Sequence, residues 1–277
     1  MRTVVQLSDL HFGAILEPTL EPLVEQLREL SPDLTIISGD VSQRARSDEF
    51  ARARDYLKRL PTPQLVIPGN HDVPLYNVFR RFLSPLDCYD EYIASNHDPV
   101  FIDDEIAVVA INSARSFTFK GGNINEAQIR NSVQQFDRAN KQQVRIVVTH
   151  HPFDLPVGLS GVSIVHGAKE AIQAFARSDV DLFLTGHLHL IHRATGAVFV
   201  PGYKATLLGA GTATSTRARG ESNSFFVFRI DHTLADENAI QVETHSWNAA
   251  RNCFEITDTR GLHRTSAAYG HGSGITA

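Results

Sequence analysis

Cysteine, methionine and tryptophan are scarce in this chain. Its 277 residues include 2 Cys, 1 Met and 1 Trp. Cys88 and Cys253 stand far apart in sequence, which excludes a disulfide framework and a thiolate zinc site and leaves them as small apolar residues of the interior. A surplus of positive charge is missing as well: 26 Lys+Arg face 31 Asp+Glu, for a formal charge of −5. Such a balance carries no electrostatic footprint for a phosphate backbone, so no nucleic-acid polymer is expected as a partner. Long apolar runs are lacking too. The longest, Ile106–Ile111 and Val144–Val148, are of strand length, far below the ~20 residues of a membrane span. The opening Met-Arg-Thr-Val-Val-Gln-Leu-Ser-Asp turns polar too soon for a signal peptide, and a cytoplasmic protein is expected.

Histidine, in contrast, is abundant, with 13 residues. It is the common neutral nitrogen ligand of metals and a common acid–base group. The remaining composition, 42% hydrophobic and 21% charged, is that of a globular protein and excludes disordered and fibrous classes.

Short β-branched runs alternate with helical periodicity along the first third. Val4–Leu7, Leu34–Ser38 and Leu65–Ile67 read as strands. Between them, Leu20, Leu23, Leu27 and Leu30 form one amphipathic stripe, and Phe50, Ala53, Leu57 and Leu60 form another, capped by Ser47 or Asp48. Strand–helix–strand order predicts right-handed crossovers and a largely parallel sheet. Residues 76–95 read as two short helices broken at Pro85, and Pro99–Ile102 with Ile106–Ile111 as a hairpin. Further helices are expected around Ile129–Phe136 and Ile172–Ala176, and strands at Val144–Val148 and Leu182–Leu184. The last third reads as β at Val198–Val200, Leu207–Leu208, Phe225–Ile230 and Ile240–Thr244. With no internal repeat and no linker, one α/β domain with two packed sheets is expected over residues 1–260. The Gly/Ser/Ala-rich residues 261–277 are expected to form a flexible tail.

Five polar clusters stand at the ends of strand-like runs: Asp9-Leu10-His11, Gly39-Asp40, Gly69-Asn70-His71-Asp72, His150-His151-Pro152 and Gly186-His187-Leu188-His189. Ligands of open α/β sheets bind beyond the carboxyl ends of parallel strands, so neighbouring strands would bring all five to one edge. Asp9/His11 and His187/His189 are two residues apart, a spacing that aims both side chains of an extended chain at one region. The preceding glycines allow a sharp turn or a close backbone approach. Asp-x-His or Gly-Asp alone is usually a loop turn or a cap. Two imidazoles after an apolar strand are seldom needed for packing, and five clusters in this order leave a purely structural explanation improbable. The donors are N and O without thiolate, which favours Mn, Fe, Zn, Co or Ni over copper(I) or an iron–sulfur cluster.

From Val4 to about Trp247 this ordered set resembles the calcineurin-like metallophosphoesterase superfamily. Within it, Ser38-Gly-Asp-Val-Ser-Gln-Arg-Ala and Ala210-Gly-Thr-Ala-Thr-Ser-Thr-Arg are similar to bacterial members grouped with class III cyclic-nucleotide phosphodiesterases. The resemblance implies a four-layer αββα sandwich of two mixed sheets, with a dinuclear metal site at the C-terminal edge of the strands. It implies two divalent ions, Mn, Fe or Zn before Co or Ni. One would take Asp9, His11 and His189 and the other Asn70, His150 and His187, with Asp40 between them. His71 matches the family's non-ligand catalytic histidine, and His151 falls beside the ligand His150. The implied reaction is in-line attack of a metal-bridging hydroxide on the phosphorus of a small or cyclic phosphodiester. Two ions bring four positive charges, and two aspartates with one hydroxide remove three, so a net positive charge faces an anionic substrate despite the acidic chain.

The other site candidates divide between two readings. Asp72 either orients His71 or is a turn residue. Arg44, with Arg46, either reaches a phosphate or begins a solvated helix. Asn70, His151 and His192 are further candidates for touching substrate, and the loops Ser113–Asn123 and Pro152–Gly167 for shaping its pocket. The remaining histidines are read as surface or core residues. Other functions compatible with the motifs are a phosphomonoesterase, a nucleotide-lipid pyrophosphatase and a catalytically inactive scaffold. The lipid enzymes of the family typically carry Arg where this chain has His71, and a dead scaffold would have lost ligand positions that are all filled here. An isologous dimer or higher homo-oligomer is the general expectation for such a protein.

Overall fold

The computed structural model describes residues 1–75, 77–116, 121–234 and 236–265. Its strands in chain order are β1 (Arg2–Leu7), β2 (Leu34–Ser38), β3 (Gln64–Ile67), β4 (Val100–Ile102), β5 (Ile106–Ile111), β6 (Val144–Thr149), β7 (Leu182–Thr185), β8 (His192–Thr195), β9 (Thr206–Gly209), β10 (Ser224–Ile230), β11 (Ile240–Asn248) and β12 (Cys253–Leu262). The helices are α1 (Leu20–Leu30), α2 (Ser47–Leu57), α3 (Val78–Leu83), α4 (Asp87–Tyr92), α5 (Glu126–Arg138) and α6 (Ala168–Arg177). One sheet has the order β12-β11-β10-β1-β2-β3 and the other β4-β5-β6-β7-β9-β8. In the first, β1, β2 and β3 run parallel; in the second, β5, β6, β7 and β9 do.

The period-two geometry of the strands makes the layers. In β5, Ile106, Val108 and Ala110 face β1 and β2 residues Val4 and Ile36, forming the core between the sheets. Their neighbours Ala107, Val109 and Ile111 face the other way and pack on Phe136 of α5 and Ile172 and Phe175 of α6. Val5 and Ile37 likewise turn outward onto Leu23 and Leu27 of α1 and Phe50 of α2. Sheets apolar on both faces need helices on their outer sides, and the result is a four-layer αββα sandwich.

Two expectations fail locally, and two strands carry no sequence signal. The run Val198–Val200 is no strand: Gly196–Val198 is a turn of 3-10 helix, and Val198 is 63% exposed. The chain pairs just before it, in β8, whose half-exposed sequence His-Arg-Ala-Thr carries no apolar signal. Strand β12 was equally illegible, because a polar edge strand is held by ladder hydrogen bonds rather than by an apolar face. The expected tail boundary at 261 also moves. Gly261 and Leu262 lie in β12, and Leu262 is in the core between the sheets. Beyond it Arg264 and Thr265 are buried against Asp181, whose carboxylate accepts from Thr265 N at 2.8 Å and Thr265 Oγ1 at 2.9 Å. The rest of the expected tail, 266–277, lies outside the described residues, as does Lys120 of the Ser113–Asn123 loop. No helix among the described residues is long and apolar enough to cross a membrane.

Candidate metal centre

The five polar clusters meet where the carboxyl ends of the parallel strands of both sheets come together. Asp9 follows β1, Asp40 follows β2, Asn70 follows β3, His150 follows β6, and His187 and His189 follow β7. The pairs two residues apart converge for a reason other than strand pleating. Asp9 and His11 are not on an extended chain: both are left-handed, with φ of 53° and 52°, as are Asp40 (54°), His187 (71°) and His189 (55°). Non-glycine residues adopt this conformation at a cost of order 1–3 kcal/mol each, and such strain collects at functional sites. Tight turns, rather than pleating, bring each pair inward.

Two groups of donors result. Asp9, His11, Asp40 and His189 form one and His150, His151 and His187 the other, each with ligand atoms within 4.8 Å of one another. His189 Nε2 is 3.0 Å from both Asp9 Oδ1 and His11 Nε2. Asp40 Oδ2 stands between the groups, 3.6 Å from His11 Nε2 and 3.4 Å from His150 Nε2. Asn70 Oδ1 adjoins the second group, 3.2 Å from His150 Nε2.

Both carboxylates commit one oxygen to the protein and leave the other free. Asp9 Oδ2 accepts from Ser8 Oγ at 2.5 Å and His187 N at 3.0 Å, and Asp40 Oδ1 accepts from His71 N at 2.8 Å. Asp9 Oδ1 and Asp40 Oδ2 are buried and accept no hydrogen bond. Two imidazoles are oriented to match. His150 Nδ1 donates to Ser38 O at 2.9 Å and His189 Nδ1 to Arg217 O at 3.0 Å. A carbonyl only accepts, so each Nδ1 keeps a proton, and Nε2 is the nitrogen that can turn a lone pair to a metal ion once it is deprotonated. Buried anionic oxygens without hydrogen bonds, facing imidazole Nε2 atoms, are costly for a protein alone and suit divalent ions. These residues fit a dinuclear divalent-metal site.

The electrostatics agree. Burial opposes ionisation of Asp9, but the nearby imidazoles, His189 foremost and then His11, outweigh it, and the carboxyl lies well below its usual range. Burial likewise opposes ionisation of Asp40, and His150, His71 and His11 outweigh it. Burial alone would lower His150, yet Asp40 lifts it to about 9. His187 falls to about 3 through burial and the nearby His150.

His71 and Asp72 divide differently from the expectation. Asp72 does not orient His71. Its carboxylate is buried on backbone and hydroxyl donors: Ser42 N and Ser42 Oγ at 2.8 Å, Gly69 N at 2.9 Å and Val41 N at 3.2 Å. It ties the Gly69–Asp72 turn to the loop after β2, while burial and the charge of Asp40 raise its carboxyl to about 7. The carbonyl of Gln43 performs the expected task, accepting from His71 Nδ1 at 2.8 Å. Sequence reasoning missed Gln43 because a backbone acceptor leaves no residue-type signal.

Of the other candidates, His151 joins the site and Arg44 and His192 do not. His151 is buried at the second group, its Nδ1 2.8 Å from Ser113 Oγ and its Nε2 without a partner. Arg44 is exposed, and its backbone N donates to Glu49 Oε2 at 2.7 Å. His192 pairs with Asp154 at 3.3 Å. No described contact joins the Arg44 or His192 side chain to the two donor groups.

The family model for calcineurin-like phosphoesterases matches residues 2–190. The chain belongs to that family. Among curated relatives of this metallophosphoesterase, a probable glycerophosphodiester phosphodiesterase of Arcobacter nitrofigilis is 26% identical over 171 residues, 58% of each chain. A probable cyclic nucleotide phosphodiesterase of Synechococcus is 32% identical over 81 residues, 26% of this chain and 32% of the relative. The matches thus span under two thirds of either relative. In fold, the metallophosphoesterase chain is similar to a purple acid phosphatase from yellow lupin, with TM-score 0.72 and 12% identity, over 96% of this chain and 54% of that one. It is also similar to a dimetal phosphatase from Danio rerio, with TM-score 0.61 and 14% identity, over 94% and 96% of the two chains.

Proposed function

We propose that this protein is a metal-dependent phosphodiesterase that hydrolyses small or cyclic phosphodiesters. The observation that carries the reading is Asp40 Oδ2, a buried oxygen with no hydrogen bond that faces both donor groups, at 3.6 Å and 3.4 Å. In this reading Asp9, His11 and His189 hold one divalent ion and Asn70, His150 and His187 the other, with Asp40 shared. Mn, Fe and Zn are the leading ions for this N/O donor set. When bound, such ions supply Lewis-acid charge for phosphoryl oxygens and bring the pKa of water to about 7.

The chain's own residues do the rest. The carbonyls of Ser38 and Arg217 hold His150 and His189 in one tautomer. Asp40 Oδ1 holds the backbone of His71, and Gln43 O holds its ring. His71 Nε2, once it has taken up a proton, is the atom placed to pass it to the departing oxygen. Asp72 is the buried tie that keeps the two turns together. The similarity to relatives named as phosphodiesterases favours diesters over monoesters. We place this catalytic unit over the packed chain from Met1 to Thr265.

The test is a comparison of kcat/KM for 3′,5′-cyclic, 2′,3′-cyclic, linear diester and monoester substrates with metal-loaded protein. Diesters should exceed monoesters, and His71→Ala should lower turnover by about 10²–10⁴-fold with metal retained. Equal efficiency on monoesters would overturn the diesterase assignment. No metal-dependent turnover at all would overturn the enzymatic one.

A further inference from the structure

After β9 the chain crosses the metal centre as the run Ala210–Arg217. Hydroxyls and amides lash this run to the turn that carries Asp9 and His11. Thr212 Oγ1 donates to Asp9 O at 2.7 Å, Thr214 Oγ1 to Leu10 O at 2.9 Å and Ala213 N to Ser8 O at 2.9 Å. The backbone of Arg217 is therefore held against the site, where its carbonyl accepts from His189 Nδ1. Its side chain is exposed and lies over His71, with Nη1 2.8 Å from His71 Nε2 and 3.4 Å from Gln43 Oε1.

This guanidinium rests on an imidazole of the site rather than on a carboxylate. Arg52, Arg80 and Arg251, all on the surface, pair with Glu17, Asp87 and Glu255. Among the described residues no carboxylate lies within ion-pair distance of Arg217, and both of its side-chain acceptors are neutral. Since Nδ1 of His71 donates to Gln43 O, Nε2 carries the lone pair, and the guanidinium donates to it. An imidazole nitrogen is a weak partner for a guanidinium compared with an anionic phosphoryl oxygen, which can take two parallel N–H donors.

We propose that Arg217 is the anion receptor of the site: its guanidinium leaves His71 Nε2 and binds a non-bridging phosphoryl oxygen of the substrate or of released phosphate. This rests on the phosphoester reading above. The same movement uncovers Nε2 at the moment a substrate is present, so anion binding and access to His71 are coupled through one side chain. A loop fixed by its backbone but carrying an exposed cation is suited to that exchange.

The experiment uses the full chain loaded with Mn, as wild type, Arg217→Ala, Arg217→Lys and the neighbouring exposed Arg219→Ala. Calorimetry with inorganic phosphate reads binding without turnover, hydrolysis of bis(4-nitrophenyl) phosphate reads kcat/KM, and elemental analysis reads metal content. Losing one charge-assisted contact predicts about 10- to 100-fold weaker phosphate binding in Arg217→Ala and a matching fall in kcat/KM, with an intermediate value for Lys. Free guanidinium ion should partly restore turnover of Arg217→Ala, and Arg219→Ala should behave as wild type. Wild-type phosphate affinity in Arg217→Ala would overturn the proposal. So would loss of bound metal in that variant, which would assign the effect to the carbonyl that holds His189. If no variant hydrolyses any phosphoester while phosphate binding follows the predicted order, the functional reading fails and the receptor stands.

Discussion

Gly39→Ala perturbs this centre through both backbone strain and a clash with a ligand residue. Gly39 has φ +98°, so a side chain there is strained at once, at a cost of order 1–3 kcal/mol. An added Cβ would also lie 2.5 Å from His150 Nδ1, 2.7 Å from its Cγ and 2.8 Å from its Cβ, all inside the 3.4 Å at which ordinary contact begins. The third distance decides the outcome. Rotating the imidazole cannot move its own Cβ, so the backbone of His150 or of Gly39 must shift. His150 is fully buried and its Nδ1–H is on Ser38 O, so a shift also breaks the contact that fixes its tautomer. Overpacking adds about 1–3 kcal/mol, for a total of roughly 2–6 kcal/mol in stability. A displacement of ~1 Å at a catalytic group costs on the order of 10²-fold in rate. Gly202→Ala separates the two effects, since Gly202 has φ +80° with nothing within 4 Å of an added Cβ. Urea denaturation, metal content and kcat/KM should show Gly202→Ala losing stability alone, and Gly39→Ala losing stability, metal affinity and rate. A Gly39→Ala protein with wild-type metal content and kcat/KM would refute the packing argument.

Two further perturbations test the scaffold. Asp181→Ala removes the buried acceptor of Thr265 N, Thr265 Oγ1 and Arg145 N and the anion facing Arg264; it should cost about 3–5 kcal/mol and lower the Tm by on the order of 10 °C, measured by calorimetry. Little change in Tm would contradict the anchoring of the 264–265 segment. His245 stacks on Phe225 at 4.8 Å, and burial holds its pKa below the ordinary value against the pull of Glu243. The folded chain therefore favours the neutral ring, a contribution present above the unfolded pKa of about 6.5 and lost as pH falls through the lower folded value. His245→Phe keeps the stack and removes the titration, so the stability gap between wild type and variant in metal-free protein should shrink from pH 7.5 to pH 5; parallel pH curves would contradict it.

Much of this architecture is legible in the chain because burial imposes periodicity. Val4–Leu7 and Ile106–Ile111 are apolar on both faces, which only a strand between two layers requires, and α1 shows its buried Leu23 and Leu27 as a stripe. Edge strands escape the same logic. His192–Thr195 and most of Cys253–Leu262 are held by ladder hydrogen bonds on polar sequence, which a hydrophobic pattern cannot register. The donor residues were legible because Asp and His after an apolar strand are chemically conspicuous. Their supports were not: Ser38 O, Gln43 O and Arg217 O act through backbone carbonyls, which every residue possesses. For Asp72 the sequence left an orienting and a turn role open, and adjacency to His71 could not reveal that its carboxylate turns away to Ser42 and Gly69.

In the proposed function Asp40 joins the two donor groups into one dinuclear centre. Electron paramagnetic resonance of chelator-stripped protein titrated with Mn(II) tests it most directly. Two ions per chain with an exchange-coupled spectrum are predicted for wild type, and Asp40→Ala should lose the coupling and weaken both ions. One ion per chain, or two ions without coupling in the wild type, would contradict the account.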